Sequence, residues 1–283
     1  MQLLRREDFS ETGSRVPRLW GMLHLRALPG SPAYSGSVDE VLDAALAEST
    51  ALVETGFPGL VVENFGDRPF VSGAVDPVTV AGMSRIAAAI RREWPALHLV
   101  VNCLRNDAEA GLAIAVAAGA DAIRVNVHCG AMVTDQGVIE GNAGQTLRTR
   151  RHWSAESVRI FADVAVKHAV PLAERPLAVE AADLRYRGAA DALLVTGQAT
   201  GSGADPAQVA ELRAGAVDAP VIVASGVDEH NAAEWAALVD GAIVGSSLMR
   251  DGLAGGGVDP DRAVRVFGAW QQARENLQRK DHN

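Results

Sequence analysis

The sequence predicts an α/β fold, a (β/α)8 TIM barrel, on three observations. Eight short apolar runs of strand length alternate with longer amphipathic segments. The chain has 283 residues, and ~250 is usual for eight such units in one domain. No GxGxxG follows the first run, so the runner-up, a doubly wound sheet, lacks its dinucleotide fingerprint.

The first apolar run is 19–25. A helix opens at Ser37-Val38-Asp39-Glu40, a capping-box pattern, carries Val41, Leu42, Ala45, Leu46, Leu52 and Val53 at helical spacing, and stops at Gly56. After the second run, 60–65, Asp76-Pro77 places an N-cap before a Pro at the first helical position. Val80, Met83, Ile86, Ala87 and Ile90 form that helix's inner face. The third run, 97–104, leads to a helix boxed by Asn106 and Glu109 and ended by Gly119. The fourth, 122–128, leads through a Gly-rich loop to a short helix near 145–152. The fifth, 158–167, precedes a helix near 177–187. The sixth, 192–196, precedes a helix capped by Asp205-Pro206, with Val209 and Leu212 inside. The seventh, 220–225, precedes a helix boxed by Asn231 and Glu234, with Trp235, Leu238 and Val239. The eighth, 241–245, precedes a last helix from Asp259-Pro260 through Val264, Phe267, Trp270 and Leu277. No low-complexity linker divides the chain, so one domain is expected over 1–283, with 1–18 as an N-terminal extension.

Composition narrows the class. Hydrophobic residues are 48% and aromatics only 5%, which excludes a disordered chain and favours an aliphatic core. The net charge is −9, and no basic cluster exceeds Arg148, Arg150 and Arg151, so no nucleic-acid partner is expected. Residues 1–8 contain no apolar signal-peptide core, and no run reaches a membrane span, so a cytoplasmic protein without membrane insertion is expected. Assembly as a homo-oligomer is compatible with the sequence. Cys103 and Cys129 make no CxxC and read as free thiols.

In a barrel one face of each strand meets the helices, and the other faces the interior and the active-site mouth. On the fourth run Ile123, Val125 and Val127 share one face, and Arg124, Asn126 and His128 share the other. An interior guanidinium needs a partner or a ligand. The same alternation selects Asp163 and Lys167 on the fifth run, Asn102 on the third, Thr196 on the sixth, and His24 on the face of Trp20 and Met22. On the second run either Glu63 or Asn64 points inward, and twist near the strand end could expose both. The structural alternative is that His24 and Thr196 are satisfied core groups and that Arg124 pairs with Asp163 or Glu63 as buried ions. Ionisable groups gathered at one end of a barrel are more usually a catalytic site.

The loop after the fourth run holds Gly130, Thr134, Asp135, Gln136, Gly137, Glu140 and Gly141, a length that usually covers a ligand. Runs seven and eight end in Ser225-Gly226-Val227 and Gly245-Ser246-Ser247. Such barrels commonly hold a phosphate there on backbone N–H groups, and Gly lets the backbone approach it. Run six ends in Thr196-Gly197-Gln198-Ala199-Thr200-Gly201, a further place for backbone to meet a ligand. His24, His128, Cys103 and Cys129 show no metal-ligand spacing, so no cofactor is predicted. The sequence stays compatible with Mg²⁺ held by carboxylates and a substrate phosphate.

Several stretches resemble the BtpA/SgcQ family. They are Gly21-Met22-Leu23-His24-Leu25 with Leu28-Pro29-Gly30-Ser31-Pro32, Val62-Glu63-Asn64-Phe65-Gly66-Asp67 with Pro69-Phe70, and Ile123-Arg124-Val125-Asn126-Val127-His128. Thr134-Asp135-Gln136-Gly137, Phe161-Ala162-Asp163-Val164, Val166-Lys167-His168, Val195-Thr196-Gly197, Thr200-Gly201 and Gly245-Ser246-Ser247 continue the pattern, from about residue 19 to 270. The resemblance implies a TIM barrel of the ribulose-phosphate-binding type. It carries the family's aspartate and lysine onto Asp163 and Lys167, and its Glu-Asn pair onto Glu63 and Asn64. The family takes its name from a role in photosystem I biogenesis, and another branch is associated with sugar catabolism.

Two functions are weighed. The first is an enzyme acting by acid–base chemistry on a phosphorylated sugar or a phosphoribosyl or nucleoside-type compound, by isomerisation, lyase-type cleavage or glycosyl-bond transfer. Ser225, Gly226, Gly245 and Ser246 would anchor the phosphate. Glu63 and Asp163 would be acid and base, with Arg124 and Lys167 stabilising charge. His24, Asn64, Asn102, Asn126, His128 and Thr196 would contact the substrate. Lys167 could form a Schiff base if its pKa were lowered, but a neighbouring Asp163 would raise it, which favours acid–base chemistry. The second function is a non-catalytic assembly or stability factor, which needs an exposed apolar patch.

Overall fold

The computed structural model describes residues 2–9, 16–164, 166–197 and 203–281. In chain order the strands are β1 (Leu19–His24), β2 (Gly59–Glu63), β3 (His98–Asn102), β4 (Ala122–Val125), β5 (Ala131–Thr134), β6 (Gly137–Glu140), β7 (Arg159–Asp163), β8 (Ala169–Pro171), β9 (Ala192–Val195), β10 (Val221–Val223) and β11 (Gly241–Val244). The helices are α1 (Val38–Thr55), α2 (Pro77–Glu93), α3 (Ala108–Ala118), α4 (Ala143–His152), α5 (Leu177–Ala182), α6 (Pro206–Gly215), α7 (Ala232–Leu238) and α8 (Pro260–Asp281). Eight strands close in the order β1-β2-β3-β4-β7-β9-β10-β11, with β11 returning to β1. The pairings around the ring are parallel. This is the predicted TIM barrel. Among the described residues no helix is long and apolar enough to cross a membrane.

Local signals place most helix starts. Ser37 accepts from the Glu40 amide, and the Glu40 carboxylate returns to the Ser37 amide, so the α1 box forms as read. Asp76 and Asp205 cap α2 and α6 ahead of their prolines. Two readings need correction. Asp107, not Asn106, caps α3; Asn106 instead spans the β3 and β4 loops, exchanging hydrogen bonds with both backbone groups of Val127. Asn231 makes no side-chain cap on α7; its amide donates to the Gly226 carbonyl and its oxygen accepts from the Asp228 amide. On α8, Trp270 is buried as expected, whereas Val264 is exposed.

The barrel floor is filled by aromatic rings from β1, β3 and β7. Trp20 donates its indole N–H to His98 Nδ1 at 3.0 Å and meets Phe161 edge-on, and the His98 and Phe161 rings lie parallel. Burial pulls the His98 imidazole down to about 4, so it stays the neutral acceptor that the indole requires. Gly59 on β2 and Gly241 on β11 leave the space that Trp20 occupies. Below this layer Phe9, from the N-terminal segment, stands edge-on to Trp20, and Phe9 and Val16 form a bridge. Asp121, Asp191 and Asp240 precede β4, β9 and β11. Each accepts the first amides of the neighbouring strand, at Leu99, Ile160 and Val221, and each also holds an arginine. These contacts tie the bottom rim and leave the C-terminal rim free to vary.

The long connection after β4 is a hairpin, β5–β6, rather than an irregular loop, and β8 joins it as a third antiparallel strand. Its inner face buries Met132 and Ile139 with Val127 and Val166. The fifth run therefore stops short of its expected length. Strand β7 ends at Asp163, and Lys167 lies in the turn that leads to β8. The expected ligand contact at Gln198–Gly201 falls outside the described residues.

A β-carbon on Gly59 would stand 2.3 Å from Trp20 Cδ1. Gly59→Ala should therefore destabilise the fold by about 1–3 kcal/mol, the usual cost of overpacking, and Trp20→Phe in the same chain should recover part of the loss. Chemical denaturation reads both; an unchanged midpoint for Gly59→Ala would mean the indole can shift.

Candidate functional site

Strand register sets four polar side chains at one level across adjacent strands: His24 opposite Glu63, Glu63 opposite Asn102, and Asn102 opposite Arg124. Alternation turns this row inward, and it settles the open choice on β2. Glu63 points into the barrel, while Asn64 turns aside to bond the Leu104 backbone and Asp67. Above the row lies a cavity of about 1040 Å³ at the C-terminal rim. His24, Glu63, Arg124, Asn126, Lys167, Ser225, Gly226, Gly245 and Ser246 all line it.

Other expected contacts are not in its wall. Asp163 is buried behind Arg124, accepting from Nε and Nη2 at 2.9 Å each and from the Asn126 amide at 2.8 Å. With three donors on two oxygens, it orients the guanidinium, a role that leaves it poorly placed to take a substrate proton. Asn102 donates to the Arg124 carbonyl and to Asn126. His128 lies past the end of β4, where Nε2 meets the Gly188 carbonyl at 2.9 Å. Thr196 is buried and outside the lining. Asn64, Asn102 and His128 thus brace the walls by their bonds to protein groups, which is why alternation alone could not separate them from ligand contacts.

The part of the cavity wall around Glu63 has an unusual charge pattern. Burial raises the Glu63 carboxyl, and the Arg124 and Lys167 charges offset only part of the rise. Burial and the nearby cations lower His24 to about 3, so its ring is neutral. Its Nδ1 accepts the Gly255 amide at 3.3 Å, which leaves the proton on Nε2, 3.9 Å from Glu63 Oε1. Lys167 falls to about 8, first from burial and then from Arg124, with Glu63 and Asp163 pulling the other way. The expectation that Asp163 would keep this lysine high is therefore corrected: Asp163 does pull it upward, but burial and the Arg124 charge outweigh that pull. Among the described residues no carboxylate lies within 4 Å of the Lys167 amine.

Another part of the wall is made of turns. Gly226 has φ +72, a left-handed conformation that glycine adopts without strain. Among the described residues its amide has no partner, and neither has the buried Ser225 hydroxyl. Gly245 leads into the short turn Ser246–Leu248, and Ser247 Oγ ties it to the Val227 carbonyl.

Three residues that alternation missed also reach the cavity: Arg68, stacked 4.5 Å over Phe65, Arg105, and Asp135 from the turn between β5 and β6. Arg68 and Arg105 stand just past the ends of β2 and β3, so position after a strand was the available signal. A second signal was in the counts. The chain has only two lysines, Lys167 and Lys280, among its 26 Lys and Arg residues. Among the described residues no three His, Cys, Asp or Glu side chains converge on a metal-sized point.

A half-buried ammonium without a counter-ion is a cost to the fold. The lowered pKa means the folded state binds fewer protons than the unfolded chain between about pH 8 and the ordinary lysine range, so stability rises with pH there. Lys167→Met should raise the Tm at pH 7, with the gain shrinking as pH climbs past about 8. A fall in Tm at pH 7 would show that an acidic partner holds the amine.

The BtpA family model matches residues 16–272. The chain is 41% identical over 260 residues to Photosystem I biogenesis protein BtpA of Synechocystis sp., covering 92% of this chain and 89% of the relative. It is 43% identical over 258 residues to an uncharacterised protein of Thermococcus kodakarensis, covering 91% and 97%. Among solved structures it is similar to 3-hexulose-6-phosphate synthase from Salmonella typhimurium, with TM-score 0.58 and 16% identity over 90% of this chain and 99% of that one. It is also similar to phosphoribosyl anthranilate isomerase from Thermus thermophilus, with TM-score 0.57 and 17% identity over 91% and 100%. At such identities the structural likeness shows the TIM-barrel fold alone. The chain itself belongs to the BtpA family.

Proposed function

We propose that this chain is an enzyme that works by acid–base chemistry on a phosphorylated sugar or a phosphoribosyl or nucleoside-type compound. One observation carries the reading: a single cavity is lined by the Ser225–Gly226 and Gly245–Ser246 turns, by the buried Glu63 and by Lys167, which has no carboxylate within 4 Å among the described residues. Free amides and a hydroxyl suit a phosphate. Burial raises the Glu63 carboxyl and lowers the Lys167 amine to about 8, the directions that suit proton exchange with a substrate. Glu63 is the proton-transfer group, the neutral His24 offers an N–H beside it, and Lys167 is the second group that can change charge. Arg124, aimed by Asp163 and Asn126, stabilises negative charge developing on a substrate oxygen. The fold neighbours named for a hexulose-phosphate synthase and a phosphoribosyl isomerase support the substrate class by analogy.

A second reading, an assembly or stability factor of the photosystem I biogenesis type, draws on the name of the Synechocystis relative. It also draws on an exposed row across the small sheet, where Val133 is in register with Val138 and Val170. It leaves the charged cavity without a purpose.

A thermal-shift screen over sugar phosphates and nucleotides tests the first reading, since a specific ligand raises the Tm by mass action. Gly226→Asp should abolish the shift by repelling the phosphate, while Gly226→Asn, uncharged and tolerant of the same φ, should keep part of it. If no phosphorylated compound shifts the wild type, or if Gly226→Asp responds like the wild type, the phosphate assignment fails. Against a compound so identified, Glu63→Gln should retain the Tm and the binding but lose turnover. Asp163→Asn should instead cost about 3–5 kcal/mol, because it strips the buried Arg124 of its counter-ion; normal stability with lost turnover would return Asp163 to the reacting groups.

A further inference from the structure

We infer that Lys167 is a nucleophile that condenses with an aldehyde or ketone of the phosphorylated substrate to form a Schiff base. The inference rests on the proposed phosphate reading and adds the functional group that the substrate must carry.

Three independent observations support it. The first is placement: Lys167 lines the same cavity as Glu63, Arg124 and the Ser225–Gly226 turn. It reaches there although β7 ends four residues earlier, because the chain turns back at His168, where φ is +54. The second is the absence of a neutralising contact. Asp163 belongs to Arg124 and Asn126, and the Glu63 oxygens lie beyond 4 Å of the amine among the described residues. A lysine kept only for its charge would be expected to hold a carboxylate. Burial without one favours the free amine, and its lowered value near 8 agrees with that. The third is residue choice. This chain uses arginine for nearly every cation, including the buried Arg124, Arg150 and Arg185. Its only other lysine is the exposed Lys280 near the C-terminus. Arginine serves better for holding an anion, but it cannot give up its proton and attack carbon. A solitary lysine inside the cavity therefore points to a task that requires a neutral amine.

The chemistry balances with groups already present. The free amine adds to the carbonyl carbon, and the carbonyl oxygen becomes a hydroxyl as nitrogen loses a proton. That hydroxyl then leaves as water with a proton from the Glu63 carboxyl, and a protonated imine forms on Lys167. Glu63 is left as a carboxylate facing the new cation. Arg124 and the His24 N–H stand where the oxygen passes through its most negative state. The imine then draws electrons from the adjacent carbon, which suits the isomerase and lyase readings and not glycosyl-bond transfer.

Borohydride trapping tests this on the full chain. The carbonyl probes are dihydroxyacetone phosphate and ribulose 5-phosphate; glycerol 3-phosphate supplies the phosphate without a carbonyl. A lysine at about 8 holds on the order of 100 times more free amine at neutral pH than one at the ordinary ~10.4. Labelling should accordingly concentrate on Lys167 over the exposed Lys280, read by peptide mass mapping. Glycerol 3-phosphate should give no adduct and should compete with labelling. Lys167→Arg should lose the adduct and keep the thermal shift with glycerol 3-phosphate, which shows that the variant is folded and binds. Equal labelling of both lysines, or an adduct that survives Lys167→Arg, overturns the inference. So does the lack of any adduct when glycerol 3-phosphate still stabilises the protein, and that outcome leaves the phosphate reading standing. If none of the three compounds stabilises or labels the chain, the phosphate reading falls and this inference with it.

Discussion

A closed barrel gives one face of every strand no outlet except the interior, and the lower part of that interior is lined by buried side chains. Each inward side chain must fill space or find a partner there. The chain meets this at the floor with three rings, Trp20, His98 and Phe161, and with glycines at 59 and 241 that make room for the indole. The indole N–H finds its polar partner inside that layer, the His98 imidazole nitrogen. Because the floor is packed, the strands hold one register, and that register determines which side chains arrive together at the rim.

At the rim the same constraint sorts charges into spent and available ones. Arg124 could not be buried alone, and Asp163 with Asn126 satisfies it. That pairing holds Asp163 on Arg124 and Asn126, so it reaches Glu63 and Lys167 only through its charge. Glu63 then takes a raised affinity for its proton and Lys167 a lowered one, each mainly from burial. The ion pair adds to this without touching either group: the Arg124 charge lowers both pKa values, and the Asp163 charge raises both. A buried pair of this kind contributes little to stability for its own sake; here it supplies a fixed guanidinium.

The connections above the rim follow a different logic. The β5–β6 hairpin and β8 build their own sheet, buried on the Met132 and Ile139 side and open on the Val133, Val138 and Val170 side. Its turn carries Asp135 to the cavity mouth. A segment that pairs its own backbone in this way can be long without leaving amide groups unsatisfied.

The sequence by itself determined the eight strand–helix units, the inner face of each strand and most helix caps, because periodicity, Asp-Pro and Ser-x-x-Glu patterns act over a few residues. It also marked His24, Glu63, Arg124, Asn126 and the two Gly/Ser turns, since alternation on short strands needs no tertiary information. It could not choose between Glu63 and Asn64, because strand twist at the rim is set by the neighbouring strands. It could not tell that Asn64, Asn102 and His128 would bond to the protein, as each has a partner 22 to 60 residues away. It extended β7 to Lys167, because an apolar run continues past the point where the ladder with β9 stops. Only the tertiary structure decided which carboxylate neutralises Arg124. That choice depends on the closed ring bringing β4 beside β7, and it engages Asp163 in two hydrogen bonds to Arg124 and one to Asn126.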